Sequence, residues 1–269
     1  MSRRVRVAAL QMTSTADAEA NLAKAEELIE RAVAAGARFV GLPENFAFLR
    51  SEGQPVPEAQ DLDGAWVQRM AASARRHGVT LLLGSLPERV PGERKIFNTS
   101  VLLGPDGATL AHYRKIHLFD IDLPGMEHLK ESRAVLPGSD VVVADAPFGR
   151  VGLSICYDLR FPELYRRLTA EGAQVLAVPS AFTHRTGQAH WELLLRTRAV
   201  ENLSYVVAPA QVGVHGANRR SWGHALIVGP WGDVLADAGE AEGFAIADLD
   251  FDVQDTLRCS LPALSHRRL

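Results

Sequence analysis

Apolar, β-branched runs alternate with amphipathic helical patterns along most of this chain, and that alternation narrows the possible folds more than any other feature. Val5 to Met12 reads as a strand, and Asn21 then caps a helix whose Leu22, Ala25, Ile29, Ala32 and Val33 share one face. Phe39 to Leu42 is the next strand, followed by a helix over Trp66 to His77 and strands at Thr80 to Leu86, Asn98 to Leu103 and Thr109 to Tyr113. Beyond a long Pro/Gly-bearing stretch, His117 to Gly138, strands at Val141 to Ala144 and Val151 to Ile155 lead to a helix from Pro162. The strand Val175 to Val178 and a helix over His190 to Asn202 follow. Strands at Ser204 to Pro209, His224 to Val228, Val234 to Ala238 and Phe244 to Asp248 close the pattern. The order predicts an α/β protein with hairpins towards its end. A long irregular stretch inside such a fold usually carries function.

A short repeat runs through the same pattern. Around Gly36 the order is helix, Gly36-Ala37, strand, Pro43, Phe46; around Gly172 it is helix, Gly172-Ala173, strand, Pro179, Phe182, with identical spacings. Each proline should end its strand, since it cannot donate to a ladder and restricts the residue before it. Two halves related by an approximate dyad would place Glu44 and Ser180 at corresponding strand ends, where α/β folds collect ligands and catalytic groups.

The 269 residues, 47% hydrophobic and 23% charged, suffice for one large domain, expected to span 1–269. Net charge is only −3 and both signs are mixed throughout, which argues against nucleic acid as a partner. The apolar stretch after Arg3 and Arg4 is broken by Arg6 and Gln11, too short for a signal sequence or membrane span, so a cytoplasmic protein is expected. With only two cysteines, Cys156 and Cys259, there is no disulfide framework.

Cys156 closes the run Val151-Gly-Leu-Ser-Ile-Cys156 just before the Pro162 helix. A thiol at a strand-to-helix junction meets unpaired N–H groups and a positive dipole end, which favour a thiolate and can hold an oxyanion. Glu44 in Leu-Pro-Glu-Asn and Lys115 in Tyr-Arg-Lys-Ile-His also stand where strands end, and Glu131 lies in the long irregular stretch. Thiol attack on a neutral amide needs a proton for the departing amine and a counter-charge for the tetrahedral oxyanion. Glu44 can move that proton and later activate water, while Lys115 and the backbone N–H of Tyr157 hold the oxyanion. No His-x-x-x-His or Cys-x-x-Cys cluster, Gly-x-Ser-x-Gly elbow or phosphate-binding glycine loop is present, so neither metal nor organic cofactor is expected.

Leu-Pro-Glu-Asn-Phe at 42–46, Tyr-Arg-Lys-Ile-His-Leu-Phe-Asp at 113–120 and Gly-Leu-Ser-Ile-Cys-Tyr-Asp-Leu-Arg-Phe-Pro-Glu-Leu at 152–164 resemble, in order, the three catalytic motifs of the nitrilase superfamily of carbon-nitrogen hydrolases. The likeness runs over almost the whole chain, including Thr186 to Asn202 and Gly223 to Gly232. It implies a four-layer α-β-β-α sandwich, a Glu44-Lys115-Cys156 triad and a second glutamate in the site, Glu131. Tyr157-Asp158 after the nucleophile resembles the amidase branches rather than nitrilases proper, which carry Trp-Glu there. The runs His117 to Gly125 and Ser180 to Trp191 look most like omega-amidases and deaminated-glutathione amidases, which act on amides of 2-oxo acids. By that likeness Arg160, Phe182 and Thr186 contact the acidic end of the substrate, a role a planar guanidinium suits. Hydrolysis of a small ω-amide to carboxylate and ammonia through a Cys156 thioester is the implied reaction. A carbamoylase with the same triad, or a non-catalytic binding protein on the same scaffold, are the other readings. The resemblance also implies a homodimer, with the Pro162 to Leu168 helix as one candidate surface and the tail from Arg258 to Leu269 reaching towards a partner.

Overall fold

The computed structural model describes residues 3–50, 59–122, 129–216 and 219–268. The chain runs from β1 (Arg4–Met12) through α1 (Ala18–Ala34) to β2 (Phe39–Gly41), through α2 (Ala65–His77) to β3 (Thr80–Arg89), then folds back in β4 (Ile96–Leu103) and β5 (Thr109–Arg114). A short ladder, β6 (Asp120–Ile121) with β7 (Leu129–Lys130), stands within the long irregular stretch. The second half repeats the plan. β8 (Val143–Ala146) pairs with β9 (Gly149–Leu153), α3 (Pro162–Ala170) leads to β10 (Val175–Ala177), and α4 (His184–Asn202) leads to β11 (Tyr205–Ala208). A hairpin of β12 (Ala210–His215) and β13 (Arg219–Trp222) comes next, then β14 (Leu226–Val228), β15 (Val234–Asp237), β16 (Gly243–Asp250) and α5 (Phe251–Ser260).

The dyad expected from the repeat is visible in the sheets. One carries the order β16-β1-β2-β3-β4-β5 and the other β8-β9-β10-β11-β14-β15, with three central parallel strands flanked by antiparallel ones in each. The turns after α1 and α3 match residue for residue. Gly36 (φ 94°) and Gly172 (φ 92°) both take the left-handed conformation that glycine adopts without a Cβ penalty. The following alanines donate back to Ala32 and Leu168 at 3.0 Å. The hairpin β12–β13 is added to β1 at its C-terminal end, outside the repeat.

Alternating side chains build the four layers. Ala8, Leu10 and Met12 of β1 pack with Leu22, Ile29, Trp66 and Met70 of the helices on one side. Val5, Val7 and Ala9 face Val151, Leu153 and Val175 of the other sheet. Leu164, Leu168, Trp191 and Leu195 of α3 and α4 cover that second sheet, completing an α-β-β-α sandwich.

Several boundaries differ from the periodic reading. α1 is capped by Asp17, whose carboxylate accepts from Ala20 N at 3.0 Å, and not by Asn21. Asn21 is buried inside the first turn, where its amide ties Thr15 O and Ala47 O at 2.7 and 2.9 Å. α4 begins at His184, six residues earlier than expected, because Gly187 lets the helix pass against Trp222 where a Cβ would overlap the indole. The segment from Arg258 is not a free tail at its start: Arg258 donates to Leu203 O, Ala173 O and Ser204 Oγ of its own chain.

The hairpin is pinned by His215, buried between Ser14 O (2.8 Å) and Ser221 Oγ (2.9 Å). Burial pushes its imidazole down to about 4 from 6.5, with the Arg219 charge adding to the depression against the opposing bond to Ser14. A folded value below the unfolded one means stability that is present above pH 6.5 and lost as pH falls towards 4. The loss amounts to roughly 3 kcal/mol. Urea unfolding at pH 7.5 and 4.5 should therefore show a larger drop for the wild type than for His215→Asn; equal drops would refute the assignment.

Candidate active site

Four strand ends and the long irregular stretch converge on one cavity of about 300 Å³. Glu44, Lys115, Glu131, Cys156, Tyr157, Phe182 and Thr186 all line it. Arg160 does not. Its guanidinium lies 5.3 Å from the Phe182 ring centre, on His190 Nδ1 at 3.3–3.4 Å, and neither Asp158 nor Glu163 is its partner.

Lys115 is the hub. Only 2% exposed, its ammonium donates to Glu44 Oε1 at 2.9 Å and to both Glu131 oxygens at 3.1 and 3.0 Å. Burial alone would lower its pKa; the charges of Glu131 and Glu44 more than reverse this and raise it, so the group is an ammonium at neutral pH. Glu44, 3% exposed, sits directly after Pro43 at the end of β2. Burial would raise its pKa, but the charge and hydrogen bond of Lys115 hold it below the ordinary carboxylate range, as does a hydrogen bond from Cys156. Its second oxygen accepts from Ala181 N at 2.9 Å. Glu131 Oε2 accepts from Phe119 N at 2.7 Å, which fixes the irregular stretch over the ammonium.

Cys156 is 8% exposed and holds φ 49°, a left-handed conformation unusual for a residue with a Cβ. Such strain costs of order 1–3 kcal/mol and persists only where neighbours over-determine it. They do so here. Cys156 N donates to Pro179 O at 3.0 Å, and the fully buried Asp158 accepts from Ile155 N, Tyr113 Oη and His117 N at 2.8, 2.8 and 3.0 Å. The His117 ring adds a 2.7 Å bond to Asp158 and stacks on Phe161 at 3.7 Å. One carboxylate thereby ties the segment bearing Lys115 to the turn bearing Cys156. From α4, buried Arg198 donates twice to Leu159 O, at 3.0 and 2.8 Å.

Cys156 does not head α3, as the strand-to-helix reading had it. It opens a separate 3-10 turn, Cys156–Arg160, because Phe161 before Pro162 is held extended (φ −110°, ψ 92°). The dipole of α3 is accordingly displaced from the thiol. Burial and the Glu44 charge push the thiol pKa up, against smaller lowering by Lys115 and the Ala181 N–H. At rest the site holds a carboxylate, an ammonium and a neutral thiol whose deprotonation the nearby carboxylate disfavours. Such an arrangement moves the thiol proton onto Glu44 as the sulfur attacks, without building a second unpaired negative charge.

Three residues of this machinery escaped the sequence reading. Asn98 Nδ2 donates to Glu44 Oε1 at 2.9 Å and approaches Glu131 Oε1 at 3.4 Å, bridging the carboxylates. Gln211 Nε2 holds Glu44 O at 3.0 Å. The Ala181 N–H was within reach of the repeat, which had already placed Ser180 opposite Glu44. A lone Asn in a strand and a lone Gln in an unrecognised hairpin give no local signal. Among the described residues no group of three or more His, Cys, Asp or Glu side chains converges as a metal cage would.

The model of the carbon-nitrogen hydrolase family matches residues 6–258. The chain is 49% identical over 263 residues to a Synechocystis sp. protein named deaminated glutathione amidase, covering 97% of each. It superposes with a TM-score of 0.92 and 43% identity on the Caenorhabditis elegans NitFhit protein, over 98% of this chain and 65% of that one. Against Saccharomyces cerevisiae Nit3, a member of branch 10 of the nitrilase superfamily, the TM-score is 0.88 at 34% identity, covering 99% and 97% of the two chains.

Proposed function

We propose that this chain, which belongs to the carbon-nitrogen hydrolase family, is an amidase that cleaves amides of 2-oxo dicarboxylic acids, deaminated glutathione first among them, through a Cys156 thioester. The observation that carries the reading is the Lys115 ammonium held between two carboxylates in a cavity that a buried thiol, Cys156, also lines. Its nearly full-length similarity to a deaminated glutathione amidase supports the substrate.

In this reading the Cys156 sulfur bonds to the amide carbon as its proton passes to Glu44. The oxyanion is held by Lys115 Nζ and the Tyr157 N–H. Collapse breaks the C–N bond and Glu44 returns the proton to the leaving amine. Water, deprotonated by Glu44, then attacks the thioester and frees the carboxylate product and the thiol. Glu131 positions the ammonium by its two bonds to Nζ. Phe182 and Thr186 form part of the wall along which the substrate lies, with Arg160 close to the Phe182 ring.

The test is amine release by the purified protein: ammonia from 2-oxoglutaramate and cysteinylglycine from deaminated glutathione. Turnover of deaminated glutathione, with the larger kcat/KM of the two, is expected. A folded protein that cleaves neither, or that instead releases carbon dioxide and ammonia from N-carbamoyl amino acids, would overturn the reading.

The same reading takes 1–269 as one catalytic unit in a cytoplasmic homodimer. Two unpaired cysteines suit a reducing compartment. Leu193 on α4 (65% exposed) and Trp231 (69%) offer apolar surface for a second copy. Sedimentation at micromolar concentration, where a monomer would contradict the dimer, tests the assembly.

A further inference from the structure

The charge lining the cavity is lopsided. Among the described residues two lining side chains are acidic, Glu44 and Glu131, and six are basic, Arg50, Lys115, Lys130, Arg185, Arg219 and Arg220. Lys115 is the one that the two glutamates neutralise. Among the described lining residues positive charge thus outnumbers negative, which suits an anion.

Arg219 stands out among them. It is half-buried, lines the cavity, and its side chain makes no hydrogen bond or ion pair among the described residues. Its direction is set by the hairpin. Register pairs His215 with Arg219 and Gly213 with Ser221, and cross-strand partners share a face. His215 and Ser221 are buried and bonded to each other at 2.9 Å, so this face is turned inward. Arg220 belongs to the opposite face with Trp222 and is exposed. β13 is moored beside the substrate wall, with Trp222 N on Phe182 O at 2.9 Å and Ser221 bridging Thr183. The Arg219 charge also reaches Glu44, where it adds to the larger influences of burial and Lys115. A partly desolvated guanidinium that faces a cavity and has no ion-pair partner among the described residues is suited to receive a carboxylate.

We propose that Arg219 binds the carboxylate beside the 2-oxo group, the feature that deaminated glutathione and 2-oxoglutaramate share, and thereby sets the preference for acidic over neutral amides. The inference rests on the amidase reading. It differs from assigning that end to Arg160, which does not line the cavity and is held on His190.

The experiment compares 2-oxoglutaramate with its methyl ester, which keeps the amide and removes the charge, in wild type, Arg219→Ala, Arg219→Lys and Arg160→Ala. Arg219→Ala should raise KM for 2-oxoglutaramate on the order of 100-fold with kcat within a few-fold, so that the acid-to-ester ratio of kcat/KM collapses by the same factor. Arg219→Lys should recover part of the ratio, an outcome that a merely scaffolding arginine would not give. A ratio unchanged in Arg219→Ala, or lost only in Arg160→Ala, would overturn the proposal. If the wild type cleaves neither compound the amidase reading fails, and calorimetric binding of 2-oxoglutarate still decides for Arg219: affinity lost in Arg219→Ala supports it, and no binding to the wild type refutes it. Unchanged melting temperatures establish that every variant is folded.

Discussion

Cys156→Ala should lower amide hydrolysis by about 10⁴-fold or more, because the covalent route disappears while binding and charge stabilisation remain. The substitution removes one sulfur from a site already ordered by other groups. Asp158, Arg198 and the Cys156 backbone bond to Pro179 keep their partners, so the turn should persist. Alanine at φ 49° stores the same backbone strain as cysteine. The loss is therefore expected in kcat, with substrate still bound, and mass spectrometry of quenched wild-type reactions should find an acyl adduct on the Cys156 peptide. Cys259, exposed near the end of α5, is the internal control. It should react freely with alkylating reagents, and its replacement by alanine should leave turnover intact. Residual activity of Cys156→Ala above a few per cent, or an adduct confined to Cys259, would remove Cys156 from its role.

Most of the residues proposed for this chemistry could be found in the sequence because they stand at the ends of strands, while Glu131, in the irregular stretch, is found through the family resemblance alone. Glu44 and Cys156 follow apolar strands and Lys115 follows a mixed one, Thr109–Arg114, and such strands are legible. The repeat did more than expected: the matching turns at Gly36 and Gly172 mark two halves built on one plan, and so set Ala181 against Glu44. What failed to register had no period to offer. β12 and β13 carry Gly213, His215 and two arginines, and they become strands only because β1 and the Phe182 segment supply ladders. α5 is ten residues long with Phe251 and Gln254 alone buried, and depends on its Asp250 cap and docking rather than on an apolar stripe. The positive wall of the cavity, which bears on specificity, was hidden for the same reason. The sequence also points to the loops Arg50 to Glu58 and Val214 to Arg220 as determinants of pocket size; residues 51–58, 217 and 218 of these lie outside the described residues.

Lys115→Met should damage stability and catalysis together, and the pH dependence of the damage is diagnostic. Without the ammonium, Glu44 keeps the burial that raises its pKa and loses the interactions that lower it, while Glu131 faces it across an apolar side chain. Breaking a buried ion pair from one side costs about 3–5 kcal/mol. In the wild type the depressed Glu44 contributes stability present above the ordinary carboxylate value and lost as pH falls through the folded value. In the variant the sign reverses: a carboxyl raised above its unfolded value favours the native state below that value and loses the advantage as pH rises. Denaturant unfolding should therefore find the stability gap between Lys115→Met and wild type wide at pH 8 and narrower at pH 5. The oxyanion loses its counter-charge and the raised Glu44 carboxyl is deprotonated less readily, so kcat should fall by at least about 10³-fold across the range. A double variant, Lys115→Met with Glu44→Gln, separates the two effects. It removes charge from both sides, and stability should recover substantially while activity does not. A Lys115→Met protein with wild-type turnover, or a stability gap independent of pH, would show that the ammonium between Glu44 and Glu131 is a structural ion pair and not the hub of the reaction.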